Sequence, residues 1–151
     1  MQGKFICHKD FENLKPIDVF HKELSLNPAE KHAESLCNRH ILFRKKVVLG
    51  KASKAILKIT TDDYFKLYIN GVYVTQGPPP SYPDHYYFME IDVTPFLKDG
   101  VNTFAVHNYY QGLINRVWVS GDLRSMFWCE LYLDGKIALV SDESWLTATH
   151  T

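Results

Sequence analysis

The sequence predicts an all-β chain folded as a two-sheet sandwich or jelly roll. Three observations carry this: period-two apolar alternation from Ile41 onward, turn signals between the alternating runs, and no amphipathic helix between successive strands. The last argues against a parallel α/β arrangement, which needs crossover helices.

The first forty residues read differently from the rest. They are polar, broken by Pro16 and Pro28, with His21, His32 and His40 among Lys and Glu. Asn27 could cap a short helix with Pro28 at its first position. Residues 1–40 are therefore expected to be an irregular lead-in and 41–151 the sandwich. In the first run, Ile41, Phe43, Lys45, Val47 and Leu49 alternate with Leu42, Arg44, Lys46 and Val48. Ala55, Leu57 and Ile59 form the second set, and Phe65, Leu67 and Ile69 the third. Asn70-Gly71 then separates Tyr68-Ile69 from Val72-Tyr73, the strongest short-range signal for a type I′ hairpin. Tyr87, Met89, Ile91 and Val93 alternate next. Thr94-Pro95-Phe96-Leu97 reads as one helical turn, with Thr94 as cap and Pro95 at its first position. Phe104 and Val106 lie on one strand face. Phe127, Cys129, Leu131 and Leu133 follow, and Asp134-Gly135 turns the chain into Ile137–Val140. About eight short strands result.

Composition limits the function classes. The 151 residues are 46% hydrophobic and 23% charged, which is ordinary for a globular chain and excludes a disordered one. Seventeen Lys+Arg balance seventeen Asp+Glu, so the basic excess of a nucleic-acid binder is missing and no such partner is expected. No apolar run approaches a membrane span, and the first residues hold no apolar leader core, so no membrane partner and a cytoplasmic location are expected. Cys7, Cys37 and Cys129, odd in number and widely spaced, read as free thiols. Aromatic residues reach 14%, suiting a β core or an aromatic binding surface.

Catalytic motifs are sparse. Inverting glycoside hydrolysis needs two carboxylates about 6.5–9.5 Å apart. Glu90 and Asp92 share one face of a strand, and Asp62-Asp63 sits at a strand end, but acids at such places are usually structural. No nucleophile elbow, dinucleotide fingerprint or phosphate loop occurs, and His85 and His107 lack partners at metal-ligand spacing. No cofactor and no metal are expected. Binding signals are richer. The loop from Gln76 through Pro78-Pro79-Pro80 to Tyr82 is stiffened by its prolines and could present Tyr82. Between residues 109 and 122, Tyr109, Tyr110, Asn115, Arg116 and Trp118 combine stacking faces with planar polar groups, the mixture that sugars require. The same residues could instead cover the end of the sandwich or face a neighbouring domain.

The ordered series Phe43-Arg44-Lys45, Asp62-Asp63 through Asn70-Gly71, Gln76-Gly77-Pro78, Ser81-Tyr82-Pro83, Asp92-Val93-Thr94-Pro95-Phe96-Leu97, Gly100-Val101-Asn102, Tyr109-Tyr110-Gln111-Gly112, Asn115-Arg116 and Asp142-Glu143-Ser144-Trp145 resembles the N-terminal β-sandwich domain of bacterial α-L-rhamnosidases. The Asn-Gly hairpin with the Asp-Val-Thr and Gly-x-Asn motifs also occurs in the sugar-binding domains of β-galactosidase-type enzymes. The resemblance spans residues 40–146 and implies a galactose-binding-domain-like jelly roll. It further implies an accessory role beside a downstream (α/α)6 catalytic barrel of the same polypeptide. Catalytic carboxylates of that family lie in the barrel, so none is carried onto this chain and the chain itself is expected to be no enzyme. Carbohydrate, rhamnose-containing on the family's account, is the expected ligand. An independent carbohydrate-binding module, or the sugar-binding domain of a β-galactosidase-type enzyme, is the alternative.

Overall fold

Ten strands in a computed structural model build two antiparallel five-stranded sheets packed face to face; the model describes residues 2–16, 36–81, 85–112 and 122–150. The strands are β1 (Ile6–Cys7), β2 (Arg39–Leu49), β3 (Ala55–Thr61), β4 (Tyr64–Ile69), β5 (Val72–Gly77), β6 (Met89–Asp92), β7 (Gly100–Tyr110), β8 (Met126–Leu133), β9 (Lys136–Val140) and β10 (Leu146–His150). Sheet I runs β1-β8-β3-β6 with β9 also paired to β8, and sheet II runs β10-β2-β7-β4-β5. This is the jelly-roll sandwich expected from the alternation.

Alternation decides which side chains meet between the sheets. Ile41 and Phe43 of β2, Phe65, Leu67 and Ile69 of β4, and Phe104 and Val106 of β7 point inward from sheet II. They meet Leu57 and Ile59 of β3 and Phe127, Cys129 and Leu131 of β8. The Phe43 and Phe127 rings pack across the gap with centroids 5.1 Å apart, and Trp145 meets Phe127 edge-on at 4.9 Å. Full burial of such rings is the main stabilising contribution.

Both hairpin turns match the expectation. Asn70 and Gly71 have φ of 52° and 83°, and Asp134 and Gly135 have 47° and 81°, the left-handed pairs of a type I′ turn. Asn70 also ties the turn to its surroundings: its Nδ2 donates to Phe96 O and Asn102 Oδ1, and its Oδ1 accepts the Thr103 N–H.

The Thr94 turn is real but capped otherwise. A 3₁₀ turn covers Thr94–Phe96, and Asp92 Oδ1 accepts from the Thr94 N–H at 3.0 Å and from its hydroxyl at 2.6 Å. The Thr94 hydroxyl oxygen is directed at β3, accepting the Ala55 N–H at 2.8 Å. Val93, not Thr94, stands at the cap position, and no side chain caps the turn there. Tyr87 also departs from its alternating set: it lies before β6 and is exposed.

The described part of the lead-in belongs to the sandwich. β1 extends sheet I along β8, and a one-turn helix, α1 (Lys9–Glu12), follows. Phe11 of α1 is buried, its ring edge-on to Tyr110 at 4.9 Å. Gly3 lies so close to Cys129 O that a Cβ there would stand 2.8 Å from it. The Asn27–Pro28 helix start lies outside the described residues. Cys7 and Cys129 are free thiols, and the Cys37 thiol donates to Gly112 O at 3.2 Å. Among the described residues no helix is long and apolar enough to cross a membrane.

Candidate functional site

Two places gather chemistry-bearing side chains. The first is the end of the sandwich where the β3–β4 turn meets Tyr86, Gln111 and residues 122–125. Asp62, Asp63 and Asp122 are all buried there. Tyr86 donates its hydroxyl to Asp62 Oδ2 at 2.9 Å, and Gln111 donates its N–H to Asp63 Oδ2 at 2.7 Å. Asp122 Oδ1 accepts the Arg124 N–H at 3.0 Å, while its Oδ2 lies 3.4 Å from Arg124 Nε. Burial, then the charges of Asp122 and Asp63, pushes the Asp62 carboxyl well above the usual range, and burial pushes Asp122 up to about 6. These acids organise the loops from inside. Among the described residues no three His, Cys, Asp or Glu are grouped to hold a metal ion.

The second place is the outer face of sheet II, near the same end. The register sets His150, His40, Tyr109 and Tyr64 side by side across β10, β2, β7 and β4, with His107, Lys66 and Gln76 in the next row. Strand alternation puts them all on one face. His40 Nδ1 and His107 Nε2 are hydrogen-bonded at 2.9 Å. The His40 and Tyr109 rings stack at 4.7 Å and 25°, and the His107 and His150 rings at 5.6 Å and 11°. His40, Tyr64, Phe65, Lys66, Gln76, His107 and Tyr109 line a shallow depression of about 290 Å³. Burial first, then neighbouring positive charge, holds both His40 and His107 below the ordinary imidazole range. The arrangement offers flat apolar rings beside nitrogen donors and acceptors, as a sugar-binding surface does.

Of the sequence-derived site residues, Tyr109 lies in this depression. Tyr110 does not reach the surface: it points inward on β7, is fully buried, and its hydroxyl accepts the Leu123 N–H at 3.1 Å. Adjacent strand residues face opposite ways, so one tyrosine of the pair had to be core. Tyr82, Asn115, Arg116 and Trp118 lie outside the described residues. The carboxylates considered for hydrolysis are engaged: Glu90 pairs with Lys58 Nζ at 2.8 Å, and Asp92 accepts the Thr94 N–H and hydroxyl. His40, Lys66, Gln76 and His150 were missed. Their only sequence signal is polar placement on the outward register of strands, which means nothing until the strand order is known.

No protein-family model matches the chain, nor does any curated protein. Solved structures do. A GH78 family rhamnosidase of Bacillus sp. GL1 superposes with a TM-score of 0.70 at 27% identity, covering 79% of this chain and 12% of that one. The α-L-rhamnosidase of Aspergillus terreus gives 0.60 at 26%, covering 78% and 15%. A Pleurotus ostreatus lectin, solved with GalNAc, shares the fold with a TM-score of 0.50 at 20% identity, over 80% of this chain and 33% of that one. The chain thus spans about an eighth of the enzymes it matches. In three dimensions as in its motifs, the chain resembles the β-sandwich domain of α-L-rhamnosidases.

Proposed function

We propose that this chain acts as a non-catalytic accessory domain of an α-L-rhamnosidase-like glycoside hydrolase, bracing the catalytic domain and contacting carbohydrate. The observation that carries this reading is the match itself: nearly four-fifths of the chain corresponds to about an eighth of a rhamnosidase. Two surfaces suit the two roles. The outer face of sheet I carries Phe5 and Phe88 at 40% and 48% exposure, beside the buried Trp128 ring. An aromatic patch of this kind fits against a neighbouring domain. The depression on sheet II suits sugar, with dissociation constants on the order of a millimolar for a monosaccharide on so shallow a site.

The test is twofold. Purified chain should leave an aryl α-L-rhamnoside intact, and ligand-observed NMR should detect weak binding of a monosaccharide panel including L-rhamnose and galactose. Rhamnoside turnover abolished by Glu90→Gln or Asp62→Asn would overturn the non-catalytic reading. Silence toward every sugar would leave bracing as the sole role.

A further inference from the structure

The charges of the whole chain balance, yet the strands of sheet II hold no acid at all. Their residues include Arg39, Arg44, Lys45, Lys46 and Lys66 with His40, His107 and His150, and neither Asp nor Glu. Arg39 is answered from outside the sheet by Asp10, and Lys45 by the Ser144 hydroxyl beside Asp142. Lys66 is not answered. It is exposed, sits between His107 and Gln76 in the ladder, and pairs with no carboxylate among the described residues.

Every described strand around the depression adds to this imbalance or leaves it unchanged. β10 brings His150, β2 His40, β7 His107 and Tyr109, β4 Tyr64 and Lys66, and β5 the neutral Gln76. Arg44 stands further along β2, beside Ala105 and Leu146. Asp63, next to Tyr64 in sequence, is buried and accepts the Gln111 N–H. The charges acting on His40 and His107 are those of Lys66 and the other imidazoles, all positive. A ligand complementary to this surface is negative, and the stacked Tyr109–His40 pair gives it a flat wall to lie on.

We propose that the sheet II depression binds an acidic sugar, a pyranose bearing a carboxylate, with its ring against the Tyr109–His40 wall and its carboxylate between Lys66 and His107. The inference rests on the reading that this domain contacts carbohydrate and names the class of sugar. A bound carboxylate favours the protonated forms of His40 and His107, so binding tightens as the pH falls through the imidazole range.

The experiment titrates the full chain with methyl β-D-glucuronide, methyl β-D-glucoside and acetate, at about pH 5.5 and about pH 8. The glucuronide should bind roughly tenfold more tightly than either control, and roughly three- to tenfold more tightly at the lower pH. Lys66→Met should abolish this preference with an unchanged thermal midpoint, while Arg44→Met should retain it. Equal binding of glucoside and glucuronide would overturn the proposal and leave the carbohydrate-contact reading standing. Equal binding of acetate would reduce the site to a simple anion site and overturn it too. If none of the three binds, the proposal fails; an L-rhamnose response elsewhere on the domain would still support carbohydrate contact.

Discussion

On the outer face of sheet I, Lys58 meets Glu90 at 2.8 Å, and Glu130 is enclosed by the N–H groups of Gln2 and Gly3 and the Tyr132 hydroxyl. On the outer face of sheet II, Lys66 stands with three imidazoles and, among the described residues, pairs with no carboxylate. One face has its polar groups satisfied within the chain and leaves aromatic rings outward; the other leaves charge unanswered. Groups satisfied internally serve the fold, and groups left unanswered are available to a ligand. The contrast supports the proposal that sheet I docks and sheet II recognises sugar.

The contrast depends on the core that holds the faces apart, so the largest effect comes from breaking it. Phe127→Ala removes the ring that meets both Phe43 and Trp145. It should cost about 3–5 kcal/mol in urea unfolding, and both faces should be lost together. A smaller effect of opposite sign is expected at the acidic end. Burial raises the Asp122 pKa from 3.8 to about 6. A carboxyl whose pKa is higher in the folded state than in the unfolded one stabilises the fold while protonated. That contribution disappears as the pH rises from about 4 to about 6. Asp122→Asn should therefore gain on the order of 2 kcal/mol at about pH 7.5 and nothing at about pH 3.5, read as thermal midpoints across pH.

The two faces themselves should respond unequally. Glu130→Ala strands the Gln2 and Gly3 donors and the Tyr132 hydroxyl, and should cost about 1.5 kcal/mol by urea titration followed through Trp fluorescence. Lys66→Met, which breaks nothing inside the chain, should change stability by less than about 0.5 kcal/mol. A Lys66 substitution as costly as the Glu130 one would erase the distinction.

Local chemistry made much of the fold legible in the sequence. Asn70-Gly71 and Asp134-Gly135 declare their turns because few other residues adopt φ > 0 twice in succession. β10 was not legible: Leu146–His150 is exposed throughout, so no apolar alternation marks it, and only its ladder with β2 makes it a strand. β1 escaped for another reason, since two residues are too few to show a period. The proposed binding surface was half legible. Tyr109 stood out as an aromatic at a strand end, but Tyr110 stood out equally and is core. The acid-free character of sheet II is present in the sequence, yet it is divided among five segments that become one surface only through the order β10-β2-β7-β4-β5.

The most direct test of the division between the faces is an NMR shift map of the isotope-labelled chain titrated with neutral and acidic monosaccharides. The account predicts shifts gathered on His40, Lys66, Gln76, His107 and Tyr109, with Phe5, Phe88 and Trp128 silent. Shifts centred on Phe5, Phe88 and Trp128 with sheet II unmoved would contradict it.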